Sequence, residues 1–97
     1  MTDERVSPPA HSFSLDEAWR LNPHVALRDE SFGALAYHYD TRRLLFLKSR
    51  TLVELVSSLE QFESANAALA ALIPETERTQ YGRALARLAA SEVIDVR

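Results

Sequence analysis

The sequence predicts an α+β domain in which a three-stranded antiparallel sheet is followed by three helices. Val25 and Leu27 recur at a two-residue step and are followed by two short apolar runs, Phe32 to Tyr39 and Arg43 to Leu47, and between about residues 49 and 89 apolar residues recur at every third or fourth position. These are the periods of half-buried strands and of amphipathic helices. The third observation is size: 97 residues, 46% hydrophobic and 26% charged, suit one domain with one modest core.

The elements follow in order. Residues 1–12, with Ser7-Pro8-Pro9, read as a flexible tail ahead of a single domain over residues 13–97. Ser14-Leu15-Asp16-Glu17 matches a capping box and predicts a short helical turn through Trp19, which Pro23 ends because the residue before proline is driven out of the helical region. Val25 and Leu27 share one face of a first strand, and Arg28 to Ser31 read as a polar break. Phe32 to Tyr39 form a second apolar run in which Gly33 marks a bulge or close packing. Asp40-Thr41-Arg42 is a turn, and Arg43 to Leu47 are a third strand. Short connections make the three strands an antiparallel meander.

From Ser49 the period changes. Leu52, Leu55, Val56, Leu59 and Phe62 form the stripe of a first helix, with Thr51-Leu52-Val53-Glu54 as one possible capping box and Ser49 as a competing N-cap. Ser64 caps a second, shorter helix carrying Ala65, Ala68, Leu69 and Leu72, which Pro74 ends. Pro74 also suits the first turn of a third helix, where Glu75 and Glu77 match the positive end of the dipole. Its buried stripe is Tyr81, Ala84, Leu85, Leu88 and Ala89, and Val93 to Val96 look extended or frayed.

Composition removes several classes of function. With no cysteine, disulfides, thiolate metal sites, iron–sulfur ligation and cysteine nucleophiles are excluded. The chain has no apolar run long enough to cross a bilayer, and Met1 to Ala10 lack the core of a secretory signal, so a cytoplasmic location is expected. A net charge of −3 offers no overall attraction to nucleic acid or to an anionic membrane. The glycines, Gly33 and Gly82, are too far apart for a phosphate-binding loop. His11, His24 and His38 show no metal-ligand spacing and read as tail, strand-edge and packing residues. No catalytic residue, metal ligand or cofactor is assigned, and the protein is not expected to be an enzyme.

What remains is a local excess of positive charge. Arg42, Arg43, Lys48 and Arg50 bracket the third strand with no acidic residue between them, and Arg83 and Arg87 stand four apart on the third helix. Leu44 and Phe46 point to one side of the strand, Leu45 and Leu47 to the other, so one helical layer can bury only one pair. Were this strand a sheet edge, its unpaired backbone groups would be a template for an extended peptide, and the cations would favour an acidic one. A nucleic-acid-binding protein is the alternative for the same arginines, against which the acidic net charge stands.

Three stretches carry a resemblance: Trp19-Arg20-Leu21-Asn22-Pro23-His24-Val25-Ala26-Leu27-Arg28, Phe32-Gly33-Ala34-Leu35-Ala36-Tyr37-His38-Tyr39, and Thr41-Arg42-Arg43-Leu44-Leu45-Phe46-Leu47-Lys48-Ser49. They resemble the PqqD-like peptide-recognition family, in particular the chaperones of mycofactocin maturation. The resemblance implies a winged-helix-like fold, and a module that binds the leader of a ribosomally made precursor peptide between the third strand and the third helix. It also implies presentation of that peptide to a radical S-adenosylmethionine maturase, which supplies the iron–sulfur chemistry. The peptide-binding residues it points to are Arg43, Leu44, Leu45, Phe46, Leu47 and Lys48 on the strand, and Tyr81, Ala84, Arg87 and Leu88 on the helix, to which the charge pattern adds Arg83. One departure is at the end of the third helix, where Ser91-Glu92 stand in place of a glycine before Val93-Ile94.

Overall fold

The computed structural model describes residues 13–97; the tail expected over residues 1–12, including His11, lies outside the described residues. The elements are β1 (Trp19–Leu21), β2 (Val25–Glu30), β3 (Gly33–His38), β4 (Leu44–Leu47), α1 (Arg50–Ser58), α2 (Ala65–Leu72), α3 (Arg78–Ala90) and β5 (Ile94–Val96). Strands β2, β3 and β4 form an antiparallel sheet in that order, followed by the three helices, as the sequence predicts.

Two local expectations fail because strand pairing overrides the local signal, in one case between segments distant in sequence and in the other within a hairpin. The helical turn through Trp19 is not formed: Ser14 Oγ accepts from the N–H of Asp16, the Ser14 carbonyl accepts from the N–H of Glu17 in a single turn, and Trp19 opens β1. That strand pairs antiparallel with β5, Trp19 against Val96 and Leu21 against Ile94, and the ion pair Arg20–Asp95 at 3.0 Å lies across the ribbon. The polar stretch Arg28 to Glu30 continues β2 instead of breaking it, because each residue has a partner on β3, from Arg28 opposite Leu35 to Glu30 opposite Gly33.

The hairpin turns at Ser31-Phe32, and Gly33 leaves it with φ 151. A Cβ on Gly33 would stand 2.0 Å from the carbonyl oxygen of Leu47, so the close packing read from the sequence is backbone on backbone.

The first two helices are started by serines, whereas α3 follows Glu77 with no side-chain cap. Ser49 Oγ accepts from the N–H of Leu52 at 3.0 Å, which makes Ser49 the cap of α1 and leaves the Thr51 box unused. Ser64 Oγ accepts from Ala67 N–H at 3.0 Å at the start of α2. Ile73 is extended ahead of Pro74 and ends that helix. Leu72, expected on the packed stripe of α2, is exposed, and the next residue, Ile73, is buried in its place.

The helices lie on one face of the sheet and close a single core. Ala34, Ala36 and Leu47 come from the sheet, Leu55 and Val56 from α1, Ala68 and Leu69 from α2, Leu85 from α3, and Trp19 with Ile94 from the ribbon. The small alanines at 34 and 36 let the helices approach the sheet closely, and the larger side chains interdigitate above them.

The end of α3 answers the missing glycine. Val93 N–H reaches the carbonyl of Leu88 and Glu92 N–H that of Ala89, the two bonds of a Schellman cap, with Glu92 itself left-handed at φ 63. A side-chain-bearing residue pays for that conformation, and a carboxylate at a helix C-terminus adds an unfavourable dipole term. Glu92→Gly is therefore expected to raise stability by about 1 kcal/mol, read as a rise in Tm of roughly 4–8 °C.

Candidate functional site

Strand β4 is an edge of its sheet. His38 N–H donates to the carbonyl of Arg43 at 3.0 Å, and the register continues with Ala36 opposite Leu45 and Ala34 opposite Leu47. Hydrogen-bonded pairs alternate along an antiparallel ladder, so Leu45 and Leu47 turn their backbone groups to β3, while Arg43 gives β3 its carbonyl and donates its N–H to Thr41 Oγ1 at 3.2 Å. Leu44 and Phe46 turn their N–H and C=O groups to the open side.

Side chains follow the same alternation. Leu47 is fully buried and Leu45 half-buried against the helices, whereas Leu44 and Phe46 are 55% and 57% exposed. One apolar pair is thus left outside, as the strand pattern requires. The Phe46 ring lies 5.7 Å from that of Phe32, and Leu44 joins Leu35 and Tyr37 around a shallow apolar depression on the outer face of the sheet.

Between the β4 edge and α3 runs a groove of about 360 Å³, lined by Phe46, Lys48, Ser49, Leu52, Tyr81 and Arg87, with Gln80 and Ala84 completing the helix side. Tyr81 Oη and Ser49 Oγ are 3.2 Å apart and tie α3 to the β4–α1 junction at one end. A second depression of about 270 Å³, lined by Thr41, Arg43, Ala90, Ser91 and Glu92, lies where β4 begins and α3 ends. Strand and helix therefore run antiparallel along the groove. Six residues of strand, about 20 Å, match the roughly 17 Å of helix from Gln80 to Ser91.

The residues expected at this site divide accordingly. Phe46, Lys48, Tyr81, Ala84 and Arg87 line the groove, Arg43 lies at its far end, and Leu44 flanks it on the outer face. Leu47 and Leu88 are core residues at 0% and 7% exposure, and Leu45 packs partly against the core, so none of their side chains opens into the groove. Arg83 does not share the groove with Arg87; it borders a depression on the other side of α3 with Phe13, Leu15, Arg78 and Gly82. Four residues along a helix turn 400°, and the 40° surplus carries Arg83 over the crest.

Sequence reasoning missed Ser49, Leu52 and Gln80. Leu52 belongs to the apolar stripe of α1 and is indistinguishable there from a core residue, Ser49 reads only as a cap, and Gln80 carries no signal.

Among the described residues Arg43, Lys48 and Arg87 have no ion-pair partner, whereas Arg50 is 3.6 Å from Asp29. Cations without ion-pair partners along a groove of mixed polar and apolar lining give it a preference for an acidic ligand. Arg87 also sits in the last turn of α3, where a cation is favoured.

The turn that presents β4 is held by histidines. The buried His38 accepts at Nδ1 from the N–H groups of Asp40 at 3.2 Å and Thr41 at 3.4 Å. His24 Nδ1 is 2.6 Å from Asp40 Oδ2, and that hydrogen bond holds the Asp40 carboxyl below the usual range. Both rings thus serve the turn. Among the described residues no group of three His, Asp or Glu side chains is placed to hold a metal ion, and no helix is long and apolar enough to cross a membrane.

The sequence has close counterparts. The model of the peptide chaperone MftB family matches residues 18–95. Peptide chaperone MftB of Mycolicibacterium smegmatis is 45% identical over 84 residues, which cover 86% of this chain and 82% of that protein. Peptide chaperone MftB of Mycobacterium ulcerans is 43% identical, over 88% of this chain and 79% of that protein, and the Mycobacterium tuberculosis protein of the same name is 41% identical, over 84% and 76%. No solved structure matches the chain. The relatives are named for a non-catalytic role. A match spanning the ribbon, the sheet, the groove and all three helices places this chain in the peptide chaperone MftB family.

Proposed function

We propose that the chain binds the leader of a ribosomally made precursor peptide along the open edge of β4 and presents its other end to a radical S-adenosylmethionine maturase in mycofactocin biosynthesis, in the cytoplasm. The observation that carries this reading is the coincidence of three features at one place: free backbone groups on Leu44 and Phe46, an apolar groove wall at Leu52, Tyr81 and Ala84, and the uncompensated cations Lys48 and Arg87. The leader adds a strand to β4, sets apolar side chains toward α3 and brings carboxylates to the cations. No bond is made or broken by this chain. Its contribution is tethering, which raises the effective concentration of the peptide at the enzyme without new contacts at the reacting end.

Titration calorimetry with the leader peptide tests it. Reversing the charges, Arg83→Glu with Arg87→Glu, is expected to weaken binding with the fold intact. Arg87→Glu alone accounts for most of the loss, about tenfold or ~1.4 kcal/mol at low salt. The loss should shrink at 0.5 M salt, because exposed charges are screened there within about 5 Å. Unchanged affinity in both variants contradicts the electrostatic part of the reading.

A further inference from the structure

An adaptor has to hold a peptide and an enzyme at once, so the surface that meets the enzyme must not overlap the groove. The depression on the far side of α3, about 430 Å³ and bordered by Phe13, Leu15, Thr79, Gly82, Arg83 and Ala86, meets that condition. It is one helix diameter, roughly 10 Å, from the groove.

Two observations mark it as more than a fold in the surface. The first is Gly82, in the interior of α3. A Cβ there would stand 3.8 Å from Leu15 Cδ2 and 3.9 Å from Leu69 Cδ1, ordinary contact distances, so packing within the chain does not require glycine. Glycine nevertheless costs a helix interior about 1 kcal/mol relative to alanine. What its missing side chain does is leave the floor of the depression open, between the exposed Leu15 and Ala86.

The second is charge. Arg83 is exposed and has no ion-pair partner among the described residues. Arg78 donates only to main-chain carbonyls, to Ile73 at 2.8 Å and Ala70 at 3.2 Å, and keeps its full positive charge uncompensated at the rim. An apolar floor between two uncompensated cations fits an acidic segment that carries one bulky apolar side chain.

We infer that this face of α3 docks the modifying enzyme through such an acidic segment, so that α3 has the leader on one side and the enzyme on the other. The inference rests on the adaptor reading above. Its test uses the full chain, the leader peptide and the purified radical S-adenosylmethionine maturase of the same system, with capture followed by biolayer interferometry and leader affinity by calorimetry. Gly82→Gln fills the floor, and Ala86→Glu sets a carboxylate beside Arg83. Both are expected to weaken capture of the maturase at least tenfold while leader affinity stays within twofold of wild type. Gly82→Ala keeps the test open should either variant unfold: a methyl fits, so Tm rises while capture falls about threefold. Arg83→Gln should remove most of the salt dependence of capture.

Capture unchanged in the floor-filling variants overturns the inference, as does its loss in Tyr37→Glu on the outer face of the sheet. A wild-type chain that binds leader and fails to capture the maturase overturns it too, and leaves leader binding standing. Loss of leader affinity in step with capture would place both ligands in one site and also overturns it.

Discussion

Replacing Gly33 with alanine is expected to destabilise the protein by at least about 3 kcal/mol, a fall in Tm of more than roughly 12 °C for a domain of this size. Two costs add. At φ 151 the backbone is in a region that side-chain-bearing residues rarely adopt. The new Cβ would stand 2.0 Å from the Leu47 carbonyl oxygen and 2.9 Å from the Ser49 amide nitrogen, and both neighbours are backbone that cannot rotate away. Relief requires β4 to move off β3 at the point where the strand hands over to the cap of α1. Because Lys48 and Ser49 line the groove, the same movement should weaken leader binding. Urea denaturation monitored by circular dichroism checks the first effect, and a loss below 1 kcal/mol contradicts this geometry of the β2–β3 hairpin. Calorimetry with the leader checks the second.

The second large effect is expected on binding rather than stability. Phe46→Pro removes the central outward N–H of β4 and sets the proline ring where the added strand would lie, while the ladder to β3, carried by Leu45 and Leu47, is untouched. Proline also holds the preceding residue in the extended region that Leu45 already occupies. The fold should survive, since Phe46 is 57% exposed. Leader affinity should fall by about 2–3 kcal/mol, a factor of roughly 30–150, from a lost hydrogen bond, a lost aromatic contact and a steric block. Phe46→Ala separates these contributions, because it removes the ring and keeps the N–H; it should cost only about 1 kcal/mol. Equal losses in the two variants would mean that the leader uses the ring and not the edge.

The site was only half legible in the sequence. Along β4 the alternation of Leu44 to Leu47 required that one pair stay uncovered, and the pair that does is Leu44 and Phe46. On α3 the same kind of reasoning placed Arg83 beside Arg87, which is true of a helix seen alone. Where the groove begins on that surface depends on how the helix is rotated against β4, and the rotation is set by Leu85, Leu88 and Ala89 seating in the core. The 40° between the two arginines then falls across the boundary. Leu52 was assigned to the core for the converse reason: its stripe continues past the edge of the sheet, so its position above the groove is invisible to periodicity.

By itself the sequence determined the order of three strands and three helices, the Ser64 cap and the absence of thiol and phosphate-loop chemistry, while it left Ser49 competing with the Thr51 box and Gly33 between a bulge and close packing. These are local properties, written in the period of the apolar residues and in single side chains that cap, bend or exclude. Only the tertiary structure decided that Trp19–Leu21 is a strand and not a helical turn, because its partner Ile94–Val96 lies more than 70 residues away and outweighs a capping box whose worth is about 1 kcal/mol. The tertiary structure alone, likewise, divided the arginines of α3 between two faces. Local signals set what each segment can form, and burial of the shared core sets which side of it meets the solvent.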